Sequence, residues 1–436
     1  MSIETNGPGV DTSRRTVLKA AAAVATAPLF IPASALGRDG NVAPSERVAL
    51  GFVGLGTHGH GYNLNHFLSQ DDAQVVALCD VFADRRESAR QTVKERRNHD
   101  CEKVADFRDL LARDDIDAVV ISTPDHWHAL LSVMALEAGK DVMCEKPSLS
   151  IAEGREVMEA VGRHKAVFQM GLEDRSVVYY HRMCELVRNG AIGELERIDV
   201  KLPSGVLFDA EEQTPVPDGL DYEMWLGPAP HHPYTPTRTG AMQWRQIRDY
   251  SGGILTDWGA HLLDTAQVGN FAERTAPVEV QGKGVWPPED AMSEMPLEYE
   301  LDYRYANGVE MRVESGEVAI RFTGSDGWIG NQGWRGVLQA SDEKILRTRV
   351  DDETNRMWSR PELEHRNFLD CIKSRQPTTY TAEDFHYLST VMHIGNISMQ
   401  LDGRKLQWDP EKEAFIDDDA ANALRFRQRR DDWMKL

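Results

Sequence analysis

Residues 48–61, VALGFVGLGTHGHG, decide the fold, because a short apolar run turns there into a glycine-rich loop. The glycines match the pattern GxGxxG at Gly54, Gly56 and Gly59. In a dinucleotide-binding turn the first glycine permits a tight turn, the second lets backbone N–H groups approach a pyrophosphate, and the third allows close packing of helix on strand. A helix after the loop directs its positive end at the phosphates. Thr57 lies in the same loop and belongs to the predicted site.

The sequence that follows separates this motif from a chance match, which a chain with 34 glycines can produce in an ordinary loop. About 21 residues after Gly59, a second apolar run, 74–79, ends in Asp80. This is the position of the acidic residue that binds the ribose in dinucleotide-binding units. A carboxylate there accepts hydrogen bonds from the 2′-hydroxyl of NAD and repels the 2′-phosphate of NADP, so NAD is predicted and NADP is less favoured. Arg85 and Arg86 follow closely and soften that preference.

Length and charge bound the remaining possibilities. The 436 residues predict two or more domains, and a hydrophobic content of 41% is enough for a sizeable core in each. The formal net charge is −21, and no basic block occurs beyond the N-terminal region. A chain this acidic is a poor candidate for binding nucleic acid or anionic lipid. After the N-terminal region no run of 18 uninterrupted apolar residues occurs, so we expect no stable membrane insertion.

Residues 1–36 are predicted to be a twin-arginine (Tat) signal peptide outside the fold. Residues 13–19 are SRRTVLK, an alanine-rich apolar run follows, and residues 33–35, ASA, offer a small-residue cleavage site. The alternative is a buried or membrane-anchoring helix, but the run is short and is interrupted by Pro28 and Pro32. The motif predicts the Tat export machinery as a partner and the periplasm as the destination. Because the Tat route carries folded proteins, a nucleotide cofactor can be loaded before export.

Neither the cysteines nor the histidines predict a metal site. The five cysteines are scattered, odd in number and without CxxC spacing, which argues against a zinc site or a disulfide framework and predicts reduced, buried thiols. Asp257, His261, His126 and His128 are conceivable ligands, but a pair at i and i+4 without a clear third ligand is thin evidence. We therefore predict no metal.

From residue 47 to about residue 170, strand-like runs alternate with helix-like segments, which predicts a Rossmann domain with a parallel, doubly wound sheet. The runs are 50–54, 74–79, 118–122, 141–144 and 166–170. Ligands of such sheets bind at the carboxyl ends of the strands, so the residues after each run are informative. The third run is followed by Thr123-Pro124-Asp125-His126-Trp127-His128, and the fourth by Glu145-Lys146-Pro147. Proline keeps Lys146 out of helical geometry, so the lysine can project over the end of the sheet.

The GxGxxG loop, the Thr-Pro-x-x-x-His segment and the Glu-Lys-Pro turn together resemble the Gfo/Idh/MocA family of nicotinamide-dependent sugar and polyol oxidoreductases. The resemblance continues through residues 252–261, GGILTDWGAH, and covers nearly everything after the leader. It implies that Lys146, Asp257 and His261 form the catalytic group. It also implies cofactor contacts beside the nicotinamide from Thr123, Pro124, His128, Glu145 and Lys146. Without the family, His126 and His128 are interpreted as loop residues, and a direct substrate contact from either stays open.

The catalytic candidates also make chemical sense without the family. Gly252-Gly253 breaks the chain before a helical pattern, and Asp257 and His261, four residues apart, share one face of that pattern. Oxidation of an alcohol needs a base for the hydroxyl proton while hydride leaves the carbon, and histidine suits this role. Lys146 can hydrogen-bond the developing alkoxide. The alternative is that Asp257 and His261 form a pair on a helix surface.

Further residues are predicted to bind substrate. Trp244-Arg245 resembles a pairing in exported relatives, where arginine can bind a substrate hydroxyl or carboxylate. Arg175 ends the stretch GLEDR, where many exported relatives have a Gln-Arg-Arg type sequence, so this chain makes that patch acidic. Aromatic faces stack on sugar rings, and the alternative for a tryptophan is a core position. The candidate platforms are Trp127, Trp225, Trp244 and Trp258.

Residues 171–436 are predicted to form an α+β substrate and oligomerisation domain with an open antiparallel sheet. Residues 297–305, LEYELDYRY, alternate apolar and polar side chains as a strand with one buried face does. Asn307-Gly308 then predicts a hairpin turn. The resemblance implies that this sheet joins subunits, so we expect a homo-oligomer. Residues 203–236 are rich in Pro, Asp and Glu and predict a long loop near the site or the subunit contact.

Three functions fit these predictions. The first is an exported oxidoreductase that uses tightly held NAD to oxidise or reduce a hydroxyl or keto group of a sugar, polyol or glycoside. The second is a glycosidase that oxidises the sugar transiently, eliminates the aglycone and returns the hydride, so that no net NADH forms. The third is an NAD-bound sugar-binding protein without catalysis, but the joint presence of Lys146, Asp257 and His261 argues against it.

Overall fold

The computed structural model describes residues 42–430 and Trp433. The predicted signal peptide, 1–36, lies outside these residues. Residues 42–47 contain a short 3₁₀ turn, Pro44–Glu46, and belong to a unit separate from the fold that begins at Val48. In the described part of the chain, no helix combines the length and the apolarity that a membrane span requires.

The first half of the fold is a six-stranded parallel sheet, which confirms the predicted doubly wound architecture. Its strands are Val48–Val53 (β1), Ala73–Cys79 (β2), Glu102–Val104 (β3), Ala118–Ile121 (β4), Asp141–Glu145 (β5) and Phe168–Gly171 (β6). The spatial order is β3-β2-β1-β4-β5-β6, so the direction of winding reverses between β1 and β4. A crevice for ligands forms at such a switch point, outside the carboxyl ends of the strands. Sequence reasoning missed β3, because two of its three residues are exposed and leave no apolar run.

Helices cover both faces of this sheet. They are the π-helical segment Gly59–Leu64 continued by Asn65–Phe67 (together α1), Ala83–Arg97 (α2), Phe107–Leu111 (α3), Asp125–Glu137 (α4) and Ile151–His164 (α5). Successive residues of β4 face opposite sides: Ala118 and Val120 belong to one core cluster, and Val119 and Ile121 to the other. Burial on both sides explains why these strands are continuous apolar runs.

The second half contains a nine-stranded mixed sheet. After Leu195–Leu202 (β7) its strands are Glu279–Val285 (β8), Glu298–Arg304 (β9), Glu310–Ser315 (β10), Ala319–Gly324 (β11), Gly327–Gln332 (β12), Gln339–Ala340 (β13), Leu406–Asp409 (β14) and Ala414–Phe415 (β15). The order is β13-β12-β11-β7-β10-β9-β8-β14-β15. β7 and β10 run parallel, whereas the other neighbouring pairs are antiparallel.

The alternating pattern in β9 occurs as predicted. Tyr299, Leu301 and Tyr303 are buried, and the residues between them are exposed. The Asn307-Gly308 turn joins β9 to β10, with Gly308 at a φ of 90°. The exposed face carries charged side chains that pair across strands, such as Lys201 with Glu314 at 2.8 Å. Subunit contact through this face stays a prediction.

Helices of the second half pack on the inner face of the large sheet and beside the first half. They are Val178–Arg188 (α6), Tyr222–Leu226 (α7), Ile254–Asp257 (α8), Gly259–Gly269 (α9), Glu343–Arg347 (α10), Glu364–Ser374 (α11), Ala382–Gln400 (α12) and Asp419–Ala423 (α13). Short 3₁₀ turns occur at Asp174–Ser176, Thr237–Thr239 and Gln243–Gln246. All five cysteines are free and buried, as the sequence predicted.

Candidate active site

The glycine-rich loop forms a cradle at the end of β1, and its three glycines meet different constraints. Gly54 has a φ of 92°, and a Cβ there would lie 2.5 Å from the carbonyl oxygen of Ser122. A Cβ on Gly59 would lie 2.2 Å from the carbonyl oxygen of Gly54. At Gly56, in contrast, the nearest atom to a Cβ would be Nη1 of Arg85 at 3.6 Å. Glycine at 54 and 59 is therefore required by the fold itself, whereas glycine at 56 leaves room for a ligand.

Asp80 follows β2 and lies at the wall of the cleft. Its Oδ2 accepts a hydrogen bond from the Leu55 amide at 2.6 Å, and its Oδ1 accepts one from the Phe82 amide at 2.8 Å. Burial raises the pKa of Asp80, and Arg85 acts in the opposite direction. The two arginines behave differently: Arg86 donates to the carbonyl of Asp80, whereas Arg85 lines the cleft, with its guanidinium 3.8 Å above the Phe82 ring.

The predicted loop after β4 is instead the start of a helix. Asp125, His126 and His128 lie in the first turn of α4, so the interpretation of the two histidines as loop residues is wrong. The ring of His128 lies between two carbonyl oxygens, 2.7 Å from that of Pro147 and 2.8 Å from that of Thr123. It therefore ties together the ends of two strands. His126 is 3.0 Å from the Trp225 carbonyl and does not line the cleft.

Buried polar groups at the cleft fit a nucleotide. Thr123 and Pro124 line it beside the glycine loop. The hydroxyl of Thr123 is buried and has no hydrogen-bond partner in the described structure. Because an unsatisfied buried hydroxyl is costly, a ligand group with a donor or acceptor fits this place. With the open space at Gly56 and the carboxylate of Asp80, these residues fit the phosphates and ribose of NAD.

Glu145 ends β5 and is held from two sides. Its Oε1 lies 2.8 Å from Nδ2 of Asn63 and 3.1 Å from Nε2 of His58. Burial acts to raise the pKa of Glu145, but His58 and Asn63 outweigh it and hold the pKa at about 2. The charge of Glu145 in turn raises the pKa of His58. This pair joins the glycine loop to the Glu-Lys-Pro turn.

Lys146 and Asp257 meet at the far end of the cleft. Nζ of Lys146 donates to Oδ1 of Asp257 at 2.8 Å and to its main-chain carbonyl at 2.6 Å. On the other side, Nε of Arg245 lies 3.1 Å from Oδ2 of Asp257, and the guanidinium of Arg245 stacks over Trp244 at 4.2 Å. Burial acts to raise the pKa of Asp257, but the two cations hold it well below its usual range. Asp257 is thus a fixed carboxylate between two cations.

The predicted single helix around Asp257 and His261 is divided into two. Gly253, with a φ of 80°, precedes α8, and Trp258, whose φ of −78° and ψ of −32° are still helical, separates α8 from α9. Both side chains still line the same cleft, as their spacing predicted. Their placement argues against an isolated pair on a helix surface.

His261 has a partner that sequence reasoning missed. Nδ1 of His261 lies 2.6 Å from Oδ2 of Asp174, whose side chain is fully buried. Asp174 begins the 3₁₀ turn Asp174–Ser176 that follows β6. The available signal was its position, since it comes just after a predicted strand at the ligand-binding end of the sheet.

The structure does not support the predicted role of Arg175 in substrate binding. Its guanidinium donates to Asp264 at 2.7 Å, to Asp384 at 2.9 Å and to the Thr379 carbonyl at 2.7 Å. The side chain is buried and is absent from the cleft lining. The turn points Arg175 into the protein, where two carboxylates engage it, and leaves Asp174 on the side of the cleft.

Aromatic residues surround the mouth of the cleft. Trp334, which sequence reasoning also missed, lies 5.2 Å from Trp258 and 5.4 Å from His261, measured between ring centroids. It is 43% exposed and lies on the loop between β12 and β13. Trp127, Trp225 and Trp244 also line the cleft but are mostly buried, which agrees better with core positions.

The cleft has a volume of about 1010 Å³ and joins the glycine loop to the catalytic candidates. The conceivable metal ligands do not assemble there, because His126 lies off the cleft and His128 is engaged by carbonyls. Among the described residues, Glu173, Asp174 and His261 place ligand atoms within 4.8 Å of one another. Arg335 donates to Glu173 beside this group, so the guanidinium of Arg335 supplies positive charge to these carboxylates.

Comparison with known proteins relates both halves of the chain to one family. Residues 48–172 match the NAD-binding Rossmann fold of the Gfo/Idh/MocA oxidoreductase family, and residues 204–435 match that family's C-terminal alpha/beta domain. The WlbA dehydrogenase of Bordetella pertussis, solved with NADH and UDP-GlcNAcA, superposes with a TM-score of 0.62 at 16% identity, over 83% of this chain and 99% of that one. This superposition shows a shared fold.

Curated relatives match over part of their length. The oxidoreductase YrbE of Bacillus subtilis is 28% identical over 244 residues, which are 55% of this chain and 58% of that protein. A glycosyl hydrolase family 109 protein of Shewanella pealeana is 33% identical over 168 residues, which are 36% of this chain and 35% of that protein. The chain thus spans less than two thirds of the length of either relative. Because both domains match across most of the sequence, the chain belongs to the Gfo/Idh/MocA family of oxidoreductases, and its cofactor is NAD.

Proposed function

We propose that the protein oxidises or reduces a hydroxyl or keto group of a sugar, polyol or glycoside with NAD. The observation that carries this proposal is the shared cleft: Lys146 and His261 line the same cavity as the glycine loop. A proton acceptor and a hydrogen-bond donor therefore face the space that continues from the cofactor cradle. This is the arrangement that oxidation of a secondary alcohol needs.

The cofactor would be held by residues at the ends of β1, β2 and β4. The backbone around Gly56 and Thr57 would face the phosphates, Asp80 the ribose, and Thr123 the nicotinamide half. When bound, NAD supplies a ring that accepts or returns a hydride. Arg85, at the wall near Asp80, gives the site a cation beside the ribose-binding carboxylate.

The residues of the chain divide the remaining chemistry. In the oxidising direction, His261 takes the hydroxyl proton on Nε2, and the hydride leaves from the same carbon. Lys146 donates a hydrogen bond to the oxygen as negative charge develops on it. Asp257 keeps the ammonium of Lys146 in place by a salt bridge and by its main-chain carbonyl. The proton and the electron pair thus leave the substrate by separate routes.

The tryptophans support a ring-shaped substrate. Trp258 and Trp334 stand beside His261 at the mouth of the cleft and offer apolar faces to the C–H groups of a sugar. The solved WlbA dehydrogenase binds UDP-GlcNAcA, a sugar nucleotide, on the same fold. These observations support a carbohydrate and leave its identity to experiment.

A second function, NAD-dependent glycoside cleavage, is favoured by the similarity to the glycosyl hydrolase family 109 protein. In that reaction the sugar is oxidised, a proton is removed from the carbon beside the new carbonyl, the aglycone leaves, and the hydride returns after water adds. Lys146, Asp257 and His261 would have the same roles in the oxidation step of this reaction, but no net NADH forms. Export through the Tat route and assembly through the open sheet stay predictions beside either function.

The first experiment is to purify the protein without added nucleotide, measure the nucleotide released on denaturation, and screen sugars, polyols and aryl glycosides at the NADH absorbance band. Lasting NADH formation with a sugar or polyol supports the oxidoreductase. Aglycone release without lasting NADH supports the glycosidase. Saturable sugar binding with neither signal would indicate a binding protein without catalysis and would overturn the proposal.

A further inference from the structure

We propose that Asp174 is a positioning residue that holds His261 in a single tautomer and aims its Nε2 at the substrate. This inference rests on the proposed function, in which His261 is the base. It assigns a role to an acidic residue outside the predicted catalytic group of Lys146, Asp257 and His261.

The tautomer follows from the chemistry of the contact. Oδ2 of Asp174 lies 2.6 Å from Nδ1 of His261. An ionised carboxylate can only accept hydrogen bonds, so the proton of the neutral imidazole is assigned to Nδ1. Nε2 then carries a lone pair, and among residues 42–430 no group hydrogen-bonds it. The atom that must take the substrate proton is therefore the free nitrogen of the ring.

The carboxylate of Asp174 serves this one contact. Its side chain is fully buried, and Oδ1 has no hydrogen-bond partner in the described structure. The countercharge comes from Arg335, whose Nη2 is 3.8 Å from Oδ1 and which also donates to Glu173. A buried carboxylate with so few donors depends on His261 for its hydrogen bond. The orientation of the His261 ring is therefore coupled to the charge of Asp174.

The adjacent residue fixes the turn that carries Asp174. Arg175 pairs with Asp264, and Asp264 lies on α9 together with His261. Consecutive residues of the turn thus contact the same helix at two points, Asp174 through His261 and Arg175 through Asp264. The ring is consequently held by a support that cannot shift independently of the helix.

The test compares Asp174→Asn with Ser176→Ala, a control that removes a hydroxyl from the same turn. Asparagine keeps the size of the side chain but presents an N–H group as well as an oxygen, so it no longer selects one tautomer. We expect kcat of Asp174→Asn to fall by about 10² to 10⁴, the range that a positioned general base contributes, without a matching rise in KM. Asp174→Glu should recover part of the loss, and Ser176→Ala should retain activity.

A spectroscopic measurement keeps the inference testable even if Asp174→Asn does not fold. In wild-type protein labelled with ¹⁵N-histidine, and assigned with a His261→Asn variant, the signals of His261 should show a protonated Nδ1 and an unprotonated Nε2 in the neutral ring. The opposite tautomer, or an unchanged kcat in Asp174→Asn, would overturn the inference. If His261→Asn itself retains full activity, the proposed base fails, whatever the tautomer.

Discussion

The ammonium group of Lys146 lies 2.8 Å from Oδ1 of Asp257 and donates a second hydrogen bond, at 2.6 Å, to the carbonyl of the same residue. The lysine comes from the end of the parallel sheet and the aspartate from α8, so the two contacts join the halves of the fold at the candidate active site. Arg245 keeps a second cation on the opposite oxygen of Asp257. If Lys146 is removed, Asp257 therefore still has Arg245 as a cationic partner.

We expect Lys146→Met to lower kcat by about 10² to 10³, the cost of losing one donor to a developing oxyanion. Asp257 retains Arg245, so the protein should fold, and affinity for NAD should change little. Steady-state kinetics and NAD titration by protein fluorescence measure the two quantities. Lys103→Met, on exposed β3, is the control. Full activity in Lys146→Met would remove the lysine from the mechanism.

Two of the three motif glycines, Gly56 and Gly59, should respond differently to alanine. At Gly56 the added Cβ meets only Nη1 of Arg85 at 3.6 Å, so Gly56→Ala should have the melting temperature of the wild type. Its affinity for NAD should nevertheless fall by a factor of about ten or more. At Gly59 the Cβ would lie 2.2 Å from a backbone oxygen, so Gly59→Ala should lose about 1–3 kcal/mol of stability. Thermal melts and calorimetric NAD titrations give both values. If Gly56→Ala binds NAD with wild-type affinity, the phosphates of NAD do not lie against Gly56.

Trp334 should contribute to substrate binding rather than to the chemical step. Loss of its ring in Trp334→Ala should cost about 1 kcal/mol, or roughly a fivefold rise in KM for a ring-shaped substrate, with kcat changed less. Val337→Ala, an exposed position on the same loop and outside the cleft, should leave KM unchanged. Equal effects of the two variants would indicate a general disturbance of the loop.

We expect Glu364 to make the free energy of unfolding depend on pH. Burial raises its pKa to about 8, and its Oε1 accepts a hydrogen bond from Tyr62 at 2.9 Å. In the unfolded chain the pKa of a glutamate is about 4.3. Between that pH and about pH 8 the native state therefore holds a proton that the unfolded state has lost. The contribution of Glu364 is therefore greatest at low pH and is lost as the pH rises through this window.

The variant Glu364→Gln keeps the acceptor for Tyr62 and removes the ionisation. We expect its stability relative to wild type to increase from about pH 5 to about pH 8 and then to level off. Urea unfolding at about pH 5, 7 and 9 measures the difference. The exposed Glu362→Gln should show no such trend. A pH-independent difference for Glu364→Gln would mean that Glu364 is already ionised at neutral pH.

The sheet and the cofactor cradle were predictable from sequence because their signals are local. The apolar runs that end at Cys79 and Ile121 reflect strands buried on both faces, and the glycine spacing reflects clashes with atoms close in the fold. The alternation around Tyr303 likewise reports one buried face of a strand. In each case the backbone element imposes its own period on the residues that form it.

The partners of the site residues could not be predicted, since they come from distant parts of the chain. Asp174 and His261 are 87 positions apart, and no periodicity connects them. Arg175 looks like a free cation in the sequence, but the fold brings Asp264 and Asp384 to it. Trp334 lies on a loop whose path depends on the strands around it.

The double attachment of the Asp174-Arg175 turn to α9 bears on how the protein can move. A motion that separates this turn from α9 would break the contact with His261 and the buried pair between Arg175 and Asp264 together. Leaving one partner of a buried ion pair alone costs about 3–5 kcal/mol, so the separated state is a small fraction of the molecules at equilibrium. We therefore expect substrate and product to pass the rim at Trp334, while the Asp174-Arg175 turn and α9 stay together as one rigid unit.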